Sequence, residues 1–345
     1  MNRSLKRFLQ ISISILAAFV FLYIAFRNQN LAEIWNEIKN VHIGWVLLFI
    51  PVSLTSHFIR AWRWKYFLTP VKPDIRLHHL FYSVMIGYFF NSILPRAGEL
   101  ARPYSIKKLE DVPLSTAIGT VIVERVIDMF TLVVVFMISL ISYREQLRNA
   151  FPWMESGSII LLVGCCVFLV FMLFLTVRTT PTIEWIGKLS RWLPKKFIEK
   201  ITGVLRTFID GFLVIHNREK YISIAILSFV MWFLYTLQFY VVFLGFESTA
   251  LLTIDDAMVL MVIASIGILI PMPGGTGTFH LFCSQGLVQL FHTPLEQALS
   301  YATVTHGIGL IFLLAFGAVI LVLANFKISD TKSSLLNQSP KTSVF

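Results

Sequence analysis

Seven apolar stretches of about bilayer-spanning length, near 8–26, 43–59, 77–94, 114–141, 158–177, 221–245 and 298–325, decide the solvent in which this chain folds. A helix needs roughly 20 consecutive apolar residues to cross a bilayer. A shorter, broken pair lies at 257–270 and 278–291. Only 14% of the residues are charged, against roughly 25% in soluble domains, so a water-facing surface cannot be built. The 31 Phe and 8 Trp are equally incompatible with a disordered chain. In hydrocarbon the backbone must satisfy its own polar groups, so an all-α polytopic membrane protein is the expected fold class.

Basic residues then set the orientation, because they concentrate on the cytoplasmic side. Arg3, Lys6 and Arg7 precede the first stretch. No small-residue cleavage site follows it, so a retained helix is expected rather than a signal peptide. Arg60, Arg63, Lys65, Lys72 and Arg76 mark a second inside loop, and the nine basic residues of 178–220 mark a third. Three apolar stretches separate those two loops, yet an even number of crossings is required. One of the three must therefore enter and leave on the same side. The stretch at 77–94, broken at Asn91 and Pro95, is the best candidate. The same parity applies to the broken 257–291 region, since the tail carries Lys327, Lys332 and Lys341.

The expected architecture is six full spans plus two opposed re-entrant helical hairpins, arranged as an inverted repeat. Both termini are cytoplasmic and the host is the cytoplasmic (inner) membrane. Gly/Pro-interrupted segments in corresponding halves point to a substrate site near the bilayer midplane. Residues 1–326 form the transmembrane domain. Within it, 183–216 reads as a basic amphipathic segment at the interface, and 327–345 as a disordered tail. The net charge of +10 is thus mainly topological, and no nucleic-acid partner is expected. Cys165, Cys166 and Cys283 lie in apolar stretches without metal or disulfide spacing.

Three constellations carry possible chemistry. In Asn91–Pro103, a resumed helix places Arg96, Glu99 and Arg102 at successive i+3 positions, two guanidiniums bridged by a carboxylate. Guanidinium forks match phosphate oxygens in pairs; the plainer reading is a loop with surface ion pairs. Glu124, Arg125 and Asp128 lie inside the 114–141 stretch, where ionisable groups are costly and mark function by default. They complete an anion site, carry a proton, or form a structural salt bridge with Arg96 or Arg102. In Pro271–His280, Gly274, Gly275 and Gly277 permit close backbone approach and leave amides free at a half-helix N-terminus; a tight turn is the alternative. His280, His292 and His306 show no metal-ligand spacing, and no cofactor signature is present.

The set NSILPRAGELARP, Glu124–Arg125 with Asp128, and PMPGGTGTFH resembles the lysylphosphatidylglycerol synthase transmembrane, or flippase-like, family over about residues 8–325. The resemblance implies lipid translocation between leaflets. It puts Asn91, Pro95, Arg96, Gly98, Glu99 and Arg102 on a first motif, Glu124, Arg125 and Asp128 on a charged span, and Pro273, Gly274, Gly275 and Gly277 on a second break. Bifunctional members carry an aminoacyl-transferase domain, which is not seen after the last apolar stretch, so lipid synthesis is not expected of this chain.

The function expected from the residues is non-enzymatic movement of an anionic phospholipid or polyprenyl-phosphate-linked lipid. Asn91, Arg96, Glu99, Arg102, Glu124, Arg125, Asp128, Gly274, Gly275, Gly277 and His280 line the path. Membrane lipids are the expected partners, with a separate cytoplasmic lipid-modifying enzyme as a possible second; the oligomeric state is open. The rivals are a membrane glycosyltransferase or phosphotransferase using Glu124 and Asp128, and a non-transporting subunit that scaffolds a lipid-modifying complex.

Overall fold

The computed structural model describes residues 3–177 and 218–325, and among the described residues every regular element is helical. The expected amphipathic segment 183–216 and the tail 327–345 lie outside them. In chain order the helices are α1 (Arg3–Phe26), α2 (Leu31–Lys39), α3 (Ile43–Leu47), α4 (Phe49–Leu68), α5 (Leu77–Ile93), α6 (Gly98–Glu110), α7 (Leu114–Ala150) and α8 (Trp153–Val177). After the break in the description come α9 (Tyr221–Phe243), α10 (Ile254–Leu269), α11 (Thr278–Phe291) and α12 (Leu295–Leu323).

Among the described residues, four helical segments are long and apolar enough to cross a membrane: Ile43–Leu68, Leu114–Ala150, Tyr221–Phe243 and Leu295–Leu323. Helices α1 and α8 contribute the shorter apolar stretches Leu16–Phe26 and Ser156–Val167. Large apolar side chains such as Ile141, Ile222 and Val322 face outward, an arrangement suited to lipid and not to water. Inside, one apolar cluster joins Trp64, Phe67 and Leu68 of α4 to Leu80 of α5 and Ala117 of α7. A second joins Val242 and Phe243 of α9 to Leu260, Leu287 and Tyr301 on the last three helices.

The two breaks foreseen at Asn91–Pro95 and Pro271–Gly277 each turn the chain back on itself. Helix α6 returns antiparallel to α5: Arg102 lies against Gly87, Ser83 Oγ donates to Ser105 Oγ at 3.3 Å, and Glu110 reaches back to Arg76 at 2.8 Å. The turn is closed by Asn91, whose Oδ1 accepts the Gly98 amide at 2.7 Å. Arg96, at φ 57°, takes the left-handed conformation that starts the return. Helix α11 returns along α10 in the same way, with Gly267 against Thr278 and Gly286 against Leu260. Its turn is a short 3-10 segment, Pro273–Gly275, with Gly274, Gly275 and Gly277 at φ 58°, 76° and 85°, conformations that glycine adopts without a Cβ penalty.

Helix α12 fixes how the two hairpins face one another. It starts beside the base of the α10–α11 hairpin, and His306 then meets the Gly274 carbonyl at that hairpin's tip. Gly317 packs on Phe89, near the α5–α6 tip, and Asn325 accepts from Lys108 near the α5–α6 base at 3.2 Å. The hairpins are therefore opposed, and their tips adjoin where Gly274 lies against the Ser92 backbone. Helix α1 covers the second tip, its Ala18 carbonyl approaching Gly277 more closely than a Cβ there would permit.

Candidate functional site

Between the α5–α6 hairpin and α9 the structure gathers a buried ionic cluster. Helix α7 supplies Glu124 and Asp128, one turn apart and 1% and 7% exposed. Arg102 of α6 grips Glu124 with both terminal nitrogens, at 3.0 Å to Oε1 and 2.8 Å to Oε2. Arg60 of α4 donates to Glu124 Oε1 at 2.5 Å and to Asp128 Oδ2 at 3.1 Å. Arg63, one turn further along α4, donates to Asp128 Oδ1 at 2.5 Å and lies 3.5 Å from Glu124.

The surroundings hold these side chains in place. Tyr235 of α9 accepts from Arg60 Nε at 3.3 Å, and Ser228 accepts from Arg63 at 2.8 Å. The Arg102 guanidinium stacks 3.8 Å above the Trp64 ring, whose Nε1 donates to Thr120 Oγ1 at 3.0 Å. The polar stripe continues along α4, where Ser53 meets His57 Nε2 at 3.3 Å and Ser56 accepts from Gln238 at 3.3 Å. Burying charges is tolerable only when they are paired and hydrogen-bonded, and this network meets most of that demand.

It does not meet all of it. Three guanidiniums face two carboxylates, leaving one formal positive charge in excess. Arg125 of α7 is close enough to Arg102 to repel it and adds a second. Four nitrogens in this region are buried without a hydrogen-bond partner: Nε of Arg63, Arg102 and Arg125, and Nδ1 of His57. Buried donors ordinarily have partners, so the cluster has spare positive charge and spare donor capacity together. It is tightly packed, with Arg63 wholly buried. Elsewhere, Phe136, Leu140, Leu147 and Met154 line only a shallow hollow at the α7–α8 corner.

The sequence-derived set divides accordingly. Arg102, Glu124 and Asp128 come together, with Arg125 alongside and half-buried. The expected Arg96–Glu99–Arg102 ladder does not form. Arg96 precedes the helix in a left-handed linker, and both Arg96 and Glu99 are exposed, while Arg102 turns inward over Trp64 to Glu124. Asn91 is a turn-closing residue in this structure. The Gly274–Gly277 break and His280 form a separate locality: His306 Nε2 donates to the Gly274 carbonyl at 3.0 Å, and the two imidazole rings lie 4.9 Å apart. Among the described residues no hydrogen bond or ion pair joins this locality to the arginines.

Arg60 and Arg63 require a correction. They do not mark a cytoplasmic loop after a span ending at 59, because α4 continues to Leu68 and buries them to 4% and 0% exposure. Neutralisation by Glu124 and Asp128 lets the helix carry them inward. A signal was present: Ser53, Ser56, His57, Arg60 and Arg63 recur at helical spacing as one polar face on an otherwise apolar helix.

A second ionic group closes the α5–α6 base. Glu110, nearly buried, accepts from Arg76 Nε at 2.8 Å and His79 Nδ1 at 2.6 Å, with Lys72 at 3.7 Å. Burial by itself raises the Glu110 pKa, but the Arg76 and His79 hydrogen bonds outweigh it and hold the carboxyl below its ordinary range. A depressed carboxyl stabilises the fold fully above the unfolded value of about 4.3 and loses that contribution as pH falls through the folded value. Thermal stability below about pH 4.3 should therefore fall more steeply in the native protein than in Glu110→Gln. The variant should melt lower at neutral pH, as a melting series in detergent would show.

Residues 8–317 match the family profile "Lysylphosphatidylglycerol synthase TM region". A UPF0104 membrane protein of Methanocaldococcus jannaschii is 25% identical over 315 residues, 84% of this chain and 90% of that protein. A UPF0104 membrane protein of Pyrococcus horikoshii is 26% identical over 294 residues, 79% of this chain and 84% of the relative. A third, of Methanothermobacter thermautotrophicus, is 24% identical and covers 71% and 75% of the two chains. No solved structure matches the chain.

Proposed function

Because this integral, multi-pass chain belongs to the lysylphosphatidylglycerol synthase transmembrane-region family, we propose that it moves a lipid with an anionic phosphate headgroup between leaflets without transforming it chemically. The observation that carries this reading is the buried cluster of Arg60, Arg63 and Arg102, in excess over Glu124 and Asp128 and with donors unspent. Charges in a transmembrane interior are retained where they serve a pathway. A lipid phosphate against these guanidiniums would supply the missing acceptors while its tails stay in the bilayer.

In this reading the chain crosses the cytoplasmic membrane six times with both termini inside, and the two opposed hairpins re-enter from opposite faces. Irregular backbone is tolerated at membrane depth where protein covers it or where it lines a wet cavity, and paired breaks of this kind frame substrate sites in transporters. The hairpins then gate the headgroup alternately, and a separate cytoplasmic enzyme supplies or modifies the lipid. The transferase alternative loses support because its acidic pair is already engaged, Glu124 and Asp128 being held by two or three guanidiniums each.

A leaflet-resolved assay in proteoliposomes tests the proposal. Reconstituted protein should accelerate exchange of an anionic phospholipid over protein-free vesicles. Arg102→Lys keeps the charge but loses the planar fork. It should slow exchange about tenfold, the equivalent of one charge-assisted hydrogen bond. Exchange no faster than in empty vesicles would overturn the reading.

A further inference from the structure

We propose that the headgroup taken at this cluster is a phosphate monoester carrying two negative charges, and that Arg125 is the residue that distinguishes it from a singly charged phosphodiester lipid. This rests on the translocation reading above and specifies the substrate class for that same site.

Among the described residues, Arg60, Arg63, Arg102 and Arg125 share this interior with only Glu124 and Asp128, which leaves two positive charges. The other polar groups facing the cluster are His57 on α4, Tyr88 on α5, and Ser228 and Tyr235 on α9. None of them is a carboxylate. Other carboxylates are placed elsewhere: Glu99 is exposed on α6, and Glu110 is committed to Arg76, His79 and Lys72 at the hairpin base.

Arg125 stands far along its helix. It is the twelfth residue of a helix that begins at Leu114, and at 1.5 Å per residue that is about 16 Å from the helix start. It therefore lies well inside a helix long and apolar enough to cross a membrane. Its Nε is buried without a partner, and among the described residues no ion pair joins it to a carboxylate. An uncompensated cation within a transmembrane domain is costly, and an anion is the matching ligand. A phosphodiester brings one negative charge and leaves one guanidinium uncompensated. A phosphate monoester, with a second pKa near 6, brings about −1.5 to −2 at neutral pH together with three acceptor oxygens. It balances both the charge and the orphaned donors.

Binding to the full-length protein in nanodiscs of zwitterionic lipid tests this. The probes are farnesyl phosphate and phosphatidic acid as monoesters, phosphatidylglycerol as the diester, and inorganic phosphate. At pH 8 a monoester should bind about tenfold tighter than phosphatidylglycerol, and the ratio should shrink at pH 5, where the monoester has taken up a proton. The diester, of constant charge, corrects for titration of His57 or any other protein group. Arg125→Gln should abolish the preference, while Arg125→Lys, which keeps the charge, should preserve it and guards against a variant that merely misfolds. Equal or tighter binding of phosphatidylglycerol at pH 8, or a preference intact in a folded Arg125→Gln, would overturn the inference. If phosphatidylglycerol is nevertheless exchanged in the vesicle assay, translocation stands and only the monoester assignment falls. Inorganic phosphate binding as tightly as the lipid monoesters would overturn the lipid substrate itself.

Discussion

Glu124→Ala is expected to be the most damaging single substitution in this protein. It should destabilise the fold by about 3–5 kcal/mol, the cost of removing one partner from a buried ion pair. The carboxylate is 1% exposed and receives Arg60 and Arg102 directly, with Arg63 at 3.5 Å. Without it, Arg102 loses its carboxylate partner and Arg60 and Arg63 are left with Asp128 alone, all three still buried. The measurement is the loss of monodisperse protein on heating in detergent. Glu124→Gln should be nearly as severe, since its amide can accept a hydrogen bond but adds no negative charge. The pairing can be isolated by combination: Arg102→Gln with Glu124→Gln should cost distinctly less than the sum of the single substitutions, because the second change removes a charge that the first has already stranded. Additive costs would show that the two side chains do not depend on one another.

Gly98→Ala is expected to be comparably disruptive for a reason unrelated to charge. A Cβ at this position would lie 1.9 Å from the Gly87 carbonyl oxygen, 2.6 Å from its carbon and 2.8 Å from Asn91 Cγ. Backbone cannot swing aside as a side-chain end can, so α6 must separate from α5 and the Gly98–Asn91 hydrogen bond is lost with it. Overpacking of a close interior ordinarily costs about 1–3 kcal/mol, and a direct backbone collision belongs at or above the upper end. Gly307→Ala is the control: it is also a helical glycine, but its added Cβ meets nothing within 4 Å. It should be neutral or stabilising by up to about 1 kcal/mol through helix propensity. Similar melting temperatures for the two variants would refute the close-packed hairpin.

Much of this architecture was legible in the residues. The apolar stretches gave the helices, and Asn91, Pro95, Pro271 and Pro273 placed both breaks, because proline and glycine interrupt a helix wherever it lies. Glu124 and Asp128 were legible too, since carboxylates within an apolar run demand a partner. The identity of that partner was not. Arg60 and Arg63 lie 64 and 65 residues from the carboxylates they bind, and hydropathy treats any cation at the end of a span as a loop marker. The Arg96–Glu99–Arg102 ladder fails for the opposite reason: i+3 spacing implies a shared face only within one helix, and Arg96 stands before the helix begins. Arg125 was placed in the right region by its neighbours, but that it would be the one left without a carboxylate depends on how three other arginines divide two.

The separation between those partners also bears on how the protein is made. Helix α4 leaves the ribosome carrying two guanidiniums, and Glu124 follows 64 residues after Arg60. At roughly 5–20 residues per second, about 3–13 seconds pass before the first neutralising carboxylate is synthesised. During that interval Arg60 and Arg63 lack the carboxylates that neutralise them in the fold, and burying them is costly. On the proposed topology, insertion of α4 should then be completed only with α7, several helices reaching their places jointly instead of one crossing at a time.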